Sequence, residues 1–227
     1  GDDQVTGGAG GDTFVLGTNL TSADTIDGGA GTDELQFTDS GLATSDLDGV
    51  TNVETVTLGD AATSVTTVDN LVGNGATLTV DATALTDTNS LTWDGSAETD
   101  GSFNITGSAQ ADTITGGAGD DVLSGGAGAD TLTAGLGDDT ISGGSDADTI
   151  IFGTNLTSAD TIDGGSGTDE LQFTDSGLAT SDLDGVTNVE TVTLGDAATS
   201  VTTVDNLVAN GDTLSVDAAA LSGTNSL

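Results

Sequence analysis

Lysine, arginine and histidine are all missing from this 227-residue chain, which carries 38 aspartates and glutamates and a formal net charge of −38. No carboxylate has a basic side chain to pair with. Phosphate backbones and anionic membrane surfaces are both bound through Lys and Arg, so nucleic acid and headgroup docking are excluded as partners. Cysteine is also absent, which removes disulfides and thiolate metal sites. Without histidine as well, a zinc site of the usual kind has no ligands. Tyrosine is missing too, so the common general bases and nucleophiles are gone. A carboxylate pair of the glycosidase type is the remaining catalytic option, but aromatics make up only 3% of the chain and offer no sugar-stacking surface. We expect no enzyme. No apolar run is long enough to cross a bilayer, so direct membrane insertion is not expected. No signal peptide is recognisable in a chain that begins mid-pattern at Gly1.

High net charge with few aromatics is ordinarily the composition of a disordered chain. The order of the charges argues otherwise. Gly17–Leu91 recurs as Gly153–Leu227, with 7 differences over 75 positions, which defines a 136-residue tandem unit. Both ends fall inside a unit, which reads as part of a longer tandem array. A second repeat, a nonapeptide, lies inside the first. Written G-G-x-G-x-D-x-U-x, with U apolar, it fits Gly7–Val15, Gly28–Gln36, Gly116–Ser124, Gly125–Thr133 and Gly164–Gln172. Looser copies are Gly107–Thr115, Ala134–Ser142 and Gly143–Ile151, and the "NLTSADTID" segments at 19–27 and 155–163 keep only two of its features. Those two never drift. The sixth position is Asp12, Asp24, Asp33, Asp112, Asp121, Asp130, Asp139, Asp148, Asp160 or Asp169, and the eighth is always apolar. Asp3 closes the back half of one more copy.

These nonapeptides resemble the RTX (repeat-in-toxin) calcium-binding repeats. The resemblance implies an all-β fold, a right-handed parallel β-roll or β-solenoid, elongated, with two nonapeptides per coil. The G-G-x-G-x-D half would form a turn that binds calcium, and x-U-x a short strand. It also implies type I secretion, with the chain unfolded in calcium-poor cytoplasm and folding outside.

Elementary physics points the same way. A three-residue strand is stable only when stacked on copies of itself. Rungs spaced ~4.8 Å apart would place Asp112 over Asp130, Asp121 over Asp139, and Asp130 over Asp148. Bare carboxylates at that spacing repel by roughly 3–4 kcal/mol at an effective dielectric of about 20. Ion-free Gly/Asp turns are therefore disfavoured, and calcium, which takes six to eight oxygens from carboxylates and carbonyls, reverses the sign. Metal binding then drives folding. The expected ligands are the Asps named above, with Asp24 and Asp160 open between ligation and plain Asx turns. Carbonyls would come from the glycine turns: Gly8, Gly10, Gly29, Gly31, Gly117, Gly119, Gly126, Gly128, Gly135, Gly137, Gly165 and Gly167. Several calcium ions are the only cofactor expected.

The chain divides into nonapeptide blocks at 1–36 and 107–172, and glycine-poor stretches at 37–106 and 173–227. The stretch 37–106 reads as a wider solenoid, with an inserted β-sandwich as the alternative. Ser40–Glu54 is a candidate for one short helix. "DLDGVTNVE" from Asp46 misses the EF-hand spacing and reads as a turn. Trp93 reads as core. The function expected is a secreted, calcium-stabilised structural repeat at the bacterial surface or outside the cell, self-associating as a rod, filament or surface layer. The alternatives are a calcium-binding secretion module of a toxin or hydrolase, and the stalk of an adhesin.

Overall fold

The computed structural model describes residues 1–17, 20–37, 42–153, 155–173, 182–196, 207–208 and 213–219. Among them lie twenty short strands and no helix. The chain steps back and forth between two faces. Strands β1 (Gln4–Ala9), β3 (Thr25–Ala30) and β5 (Val50–Thr51) form a three-stranded sheet of their own. One face is an eight-stranded sheet: β7 (Thr63–Thr66), β9 (Leu91–Asp94), β11 (Thr113–Thr115), β13 (Thr131–Thr133), β15 (Thr149–Phe152), β17 (Glu170–Phe173), β19 (Thr191–Thr193) and β20 (Ser215–Asp217). The opposite face is one nine-stranded sheet: β2 (Thr13–Leu16), β4 (Glu34–Phe37), β6 (Thr55–Thr57), β8 (Thr77–Asp81), β10 (Ser102–Thr106), β12 (Val122–Ala127), β14 (Thr140–Ser145), β16 (Thr161–Ser166) and β18 (Val186–Thr187). Every pairing within these sheets is parallel. The result is an elongated parallel β-solenoid.

In the nonapeptide blocks the eighth positions line the core. Ile26, Leu35, Ile114, Leu123, Leu132, Ile141, Ile150, Ile162 and Leu171 are all buried between the faces. Each such side chain contributes roughly 1.5–3 kcal/mol on full burial, and the stack stands because every coil covers the one before it. Trp93 is fully buried and packs edge-on against Phe103, ring centroids 5.8 Å apart.

Coil length varies, and the variation goes into the edges. Within the nonapeptides a strand pairs with the one two repeats later, as Val122 does with Thr140. Where a coil carries the three-residue insertion, the pairing absorbs it, as between Thr140 and Thr161. The coil from Thr77 to Ser102 is longer, and the coil from Thr63 to Leu91 is longer still. Strands β6 to β10 pair within the same two faces as the nonapeptide strands, so no separate sandwich interrupts the stack there.

Two expectations need correction. The described part of the proposed helix, residues 42–54, forms turns and the short strand β5; Ser40 lies outside the described residues. Asp46 takes the Ala43 N–H on its Oδ2 at 2.7 Å, a local side-chain bond that competes with helix propagation. The nonapeptide strands are also not confined to x-U-x. β12, β14 and β16 run on through the next two glycines, pairing Gly126 with Gly144 and Gly144 with Gly165. The approach is so close that a Cβ on Gly144 would strike the Gly126 carbonyl oxygen.

The tandem unit and the coil are out of step. Strands β3, β4, β5 and β6 correspond, one unit on, to β16, β17, β18 and β19. That is a shift of thirteen strands, or six and a half coils of two strands each. A shift by one unit therefore exchanges the faces: β4 and β6 belong to the nine-stranded sheet, and their counterparts β17 and β19 to the eight-stranded one.

Candidate metal centre

The nonapeptide turns form the two edges of the solenoid, and the Asp of each turn is tied to the coil before it. Oδ1 of Asp130 accepts the Asp112 N–H at 2.8 Å, Oδ1 of Asp148 accepts that of Asp130 at 2.9 Å, and Oδ1 of Asp169 accepts that of Asp148 at 2.8 Å. The Leu91 N–H starts this ladder on Asp112, and Glu190 Oε2 ends it on the Asp169 N–H. A second ladder on the other edge runs from the Phe103 N–H to Asp121, then to Asp139 and Asp160. In the first block the same bond joins Asp12 to Asp33 and Asp33 to Glu54 Oε2, and Asp3 to Asp24. The stacked carboxylates thus meet a backbone N–H of the neighbouring coil rather than only each other, a bond that holds adjacent turns in register.

The second oxygen divides the Asps into two groups. In Asp12, Asp33, Asp130, Asp139, Asp148 and Asp169, Oδ2 is buried with no hydrogen-bond partner. In the others a local donor takes it: Thr21 N–H for Asp24, Thr157 N–H for Asp160, Gly117 N–H for Asp121, and Ser108 N–H and Oγ for Asp112. Asp24 and Asp160 therefore sit in side-chain-closed turns and also belong to the ladders. Asp3 is exposed.

Glycine makes the turn fit around the carboxylate. A Cβ on Gly125 would collide with Asp130 Oδ2, and one on Gly116 with Asp121 Oδ2. The second and fourth positions need the left-handed backbone that glycine adopts freely: φ is +109° at Gly126 and +101° at Gly128. Gly8, Gly10, Gly29, Gly135, Gly137 and Gly165 share positive φ, whereas Gly117 and Gly119, at the start of their block, do not. Carbonyls of these turns face the coil that follows. The Gly8 and Gly10 oxygens lie where Cβ atoms of Gly29 and Gly31 would stand, and the Gly117 and Gly119 oxygens do the same beneath Gly135 and Gly137. For Gly167 the atom met is the Asp146 carbonyl oxygen.

Desolvation by burial raises the affinity of five ladder carboxylates for protons. Desolvation pushes Asp130 and Asp139 up to about 7, with neighbouring carboxylates of the ladder adding to it and the backbone N–H bonds opposing it. Asp121 and Asp148 are pushed up to about 6 in the same way, and Asp169 is raised. Asp24 shifts down instead, because the N–H bonds from Asp3 and Thr21 outweigh its desolvation.

A row of buried, unpartnered carboxylate oxygens and turn carbonyls, in a chain with no basic side chain, fits a hard divalent cation. The profile of the RTX calcium-binding nonapeptide repeat (4 copies) matches residues 1–18, 20–36, 104–132, 124–154 and 157–172. The glycine-rich blocks of the chain thus carry RTX calcium-binding nonapeptide repeats. Their RTX turns imply calcium binding, and the six orphaned Oδ2 atoms are where this chain's donors fit the ion. Bound there, calcium supplies the positive charge that lets these Asps stay ionised while buried. Among curated proteins, none matches the chain.

Glu54 and Glu190 escape a search for Asp, yet they hold the Asp place of the RTX ladder. The signal was present: "VETVT" keeps the acid–x–apolar spacing, and each Glu stands one coil after a ladder Asp, as the hydrogen bonds to Asp33 and Asp169 require.

Two outcomes are expected. Asp130→Asn, which removes charge from an orphaned oxygen, raises the calcium concentration at the folding midpoint several-fold, while Asp160→Asn, whose two oxygens already have donors, shifts it less than twofold; a calcium titration by circular dichroism compares them. The second concerns pH. Folded-state affinities for protons above the ordinary Asp value of 3.8 stabilise the fold at low pH, and that stabilisation is lost as pH rises through about 6 to 7. The calcium-free chain should therefore gain β signal on acidification from pH 8 to pH 5, and a flat or falling signal would refute the assignment.

Proposed function

We propose that this chain is part of a secreted structural repeat protein, a rod that calcium stiffens outside the cell and that self-associates into a filament or surface layer. The observation that carries the reading is the ladder: Asp carboxylates tie coil to coil along both edges while presenting orphaned oxygens to calcium. RTX repeat proteins are typically secreted by bacteria, and in calcium-poor cytoplasm the unneutralised ladder favours the unfolded, exportable chain. The near-identity of successive 136-residue units favours a polymer, since each unit offers the next the same stacking surface. With the usual catalytic side chains missing, its role is scaffold rather than catalyst.

The faces alternate from unit to unit, so a tandem rod repeats its surface only after two units. Six and a half coils at ~4.8 Å per rung give an axial rise of about 31 Å per unit. Electron microscopy with and without calcium tests the proposal. Expected are rods or sheets that dissolve in EDTA, with a two-unit periodicity of roughly 60 Å from the same rung spacing. A monodisperse calcium-loaded monomer at high concentration would favour a secretion and folding module instead.

A further inference from the structure

One acidic group lies outside the nonapeptide turns. Asp69, in the loop between β7 and β8, and Glu98 and Asp100, in the loop between β9 and β10, bring one carboxylate oxygen each within 4.8 Å of one another. Exposed acidic clusters are common and mean little alone. Here one member is not exposed: Glu98 is 1% accessible, and its Oε2 is buried with no hydrogen-bond partner. Neighbouring donors hold one oxygen of each carboxylate. Glu98 Oε1 accepts the Gly101 N–H at 2.9 Å and the Asp100 N–H at 3.2 Å. Asp69 Oδ1 accepts the Thr99 N–H at 3.1 Å and the Thr99 hydroxyl at 2.5 Å. Asp100 Oδ2 accepts the Asn74 amide at 2.9 Å.

Its place in the stack gives the cluster a role. Glu98 lies one coil before the RTX turn of Asp121: the Ala118 N–H donates to the Glu98 carbonyl at 3.1 Å, and a Cβ on Gly117 would stand 3.0 Å from Glu98 Cβ. Beneath Asp121 the ladder N–H comes from Phe103 rather than from another Asp. The cluster thus forms the floor on which this edge of the 107–172 block is built.

We propose that Asp69, Glu98 and Asp100 bind a calcium ion of their own, outside the nonapeptide pattern, and so fix two glycine-poor loops as the first rung beneath the Asp121 turn. The ligands are carboxylates only, which suits a hard cation of flexible coordination. A buried carboxylate oxygen without a partner, close to two further carboxylates, is costly unless a cation joins them.

The test uses the whole chain, equilibrated with micromolar calcium and separated from free metal, with bound calcium counted by mass spectrometry and folding checked by circular dichroism. Glu98→Gln keeps Oε1 as acceptor for Gly101 and Asp100 while removing the charge. Asp69→Asn with Asp100→Asn changes only the two exposed members, so it keeps the question answerable if Glu98→Gln does not fold. Each is expected to hold one calcium fewer than the parent. An unchanged count in the folded double variant would overturn the proposal. Asp130→Asn serves as the reference: if it loses calcium and the cluster variants do not, this site fails while the nonapeptide sites stand.

Discussion

A carboxylate seated on the backbone N–H of the neighbouring coil is the contact on which this fold rests. It does two opposed things. Through Oδ1 it sets the spacing and register of adjacent turns, and in six of the ten Asps Oδ2 is left as a charged oxygen in a buried place. A basic side chain could resolve the conflict, but the chain has none. The conflict therefore passes to the solvent, where a proton or a divalent cation must settle it. That single circumstance links an extreme composition to a fold conditional on its surroundings.

The solenoid also tolerates irregular coils. In the nonapeptide blocks a strand keeps an apolar residue between the faces and an acid two positions earlier that hooks the preceding turn, with a coil as short as the one that joins Val122 to Thr140. The longest coil, joining Thr63 to Leu91, has Asn89 where that acid would stand, and its strands still pair in register. Where glycines are lost, other donors close the turn, as Thr21 does for Asp24 and Thr157 for Asp160. Asp146 shows the cost of departing from glycine: it holds the fourth place of its turn at φ +79°, a conformation costing an ordinary residue about 1–2 kcal/mol.

Much of this was legible in the sequence because solenoid packing is nearly one-dimensional. The spacing of Asp130 and Ile150 relative to their neighbours fixes coil length, inward face and vertical partner at once. The partners of the Asps were harder to read. Counting charges predicts repulsion between Asp112 and Asp130, but only coordinates show the Asp112 N–H between them, or distinguish Asp139, with an orphaned oxygen, from Asp160, without one. Glu54 and Glu190 were hidden by a search for one residue type. Glu98 was hidden because its neighbours Asp69 and Asp100 come together only through coils of unequal length. The half-coil mismatch of the tandem unit was also invisible until each strand had a face.

The most direct measurement is a calcium titration of the metal-free chain at neutral pH, followed by far-ultraviolet circular dichroism. The account predicts little β signal in excess EDTA and a cooperative rise to a solenoid spectrum as calcium is added. A β signal in EDTA equal to that in calcium would show that the buried Asp oxygens need no cation, and would contradict it.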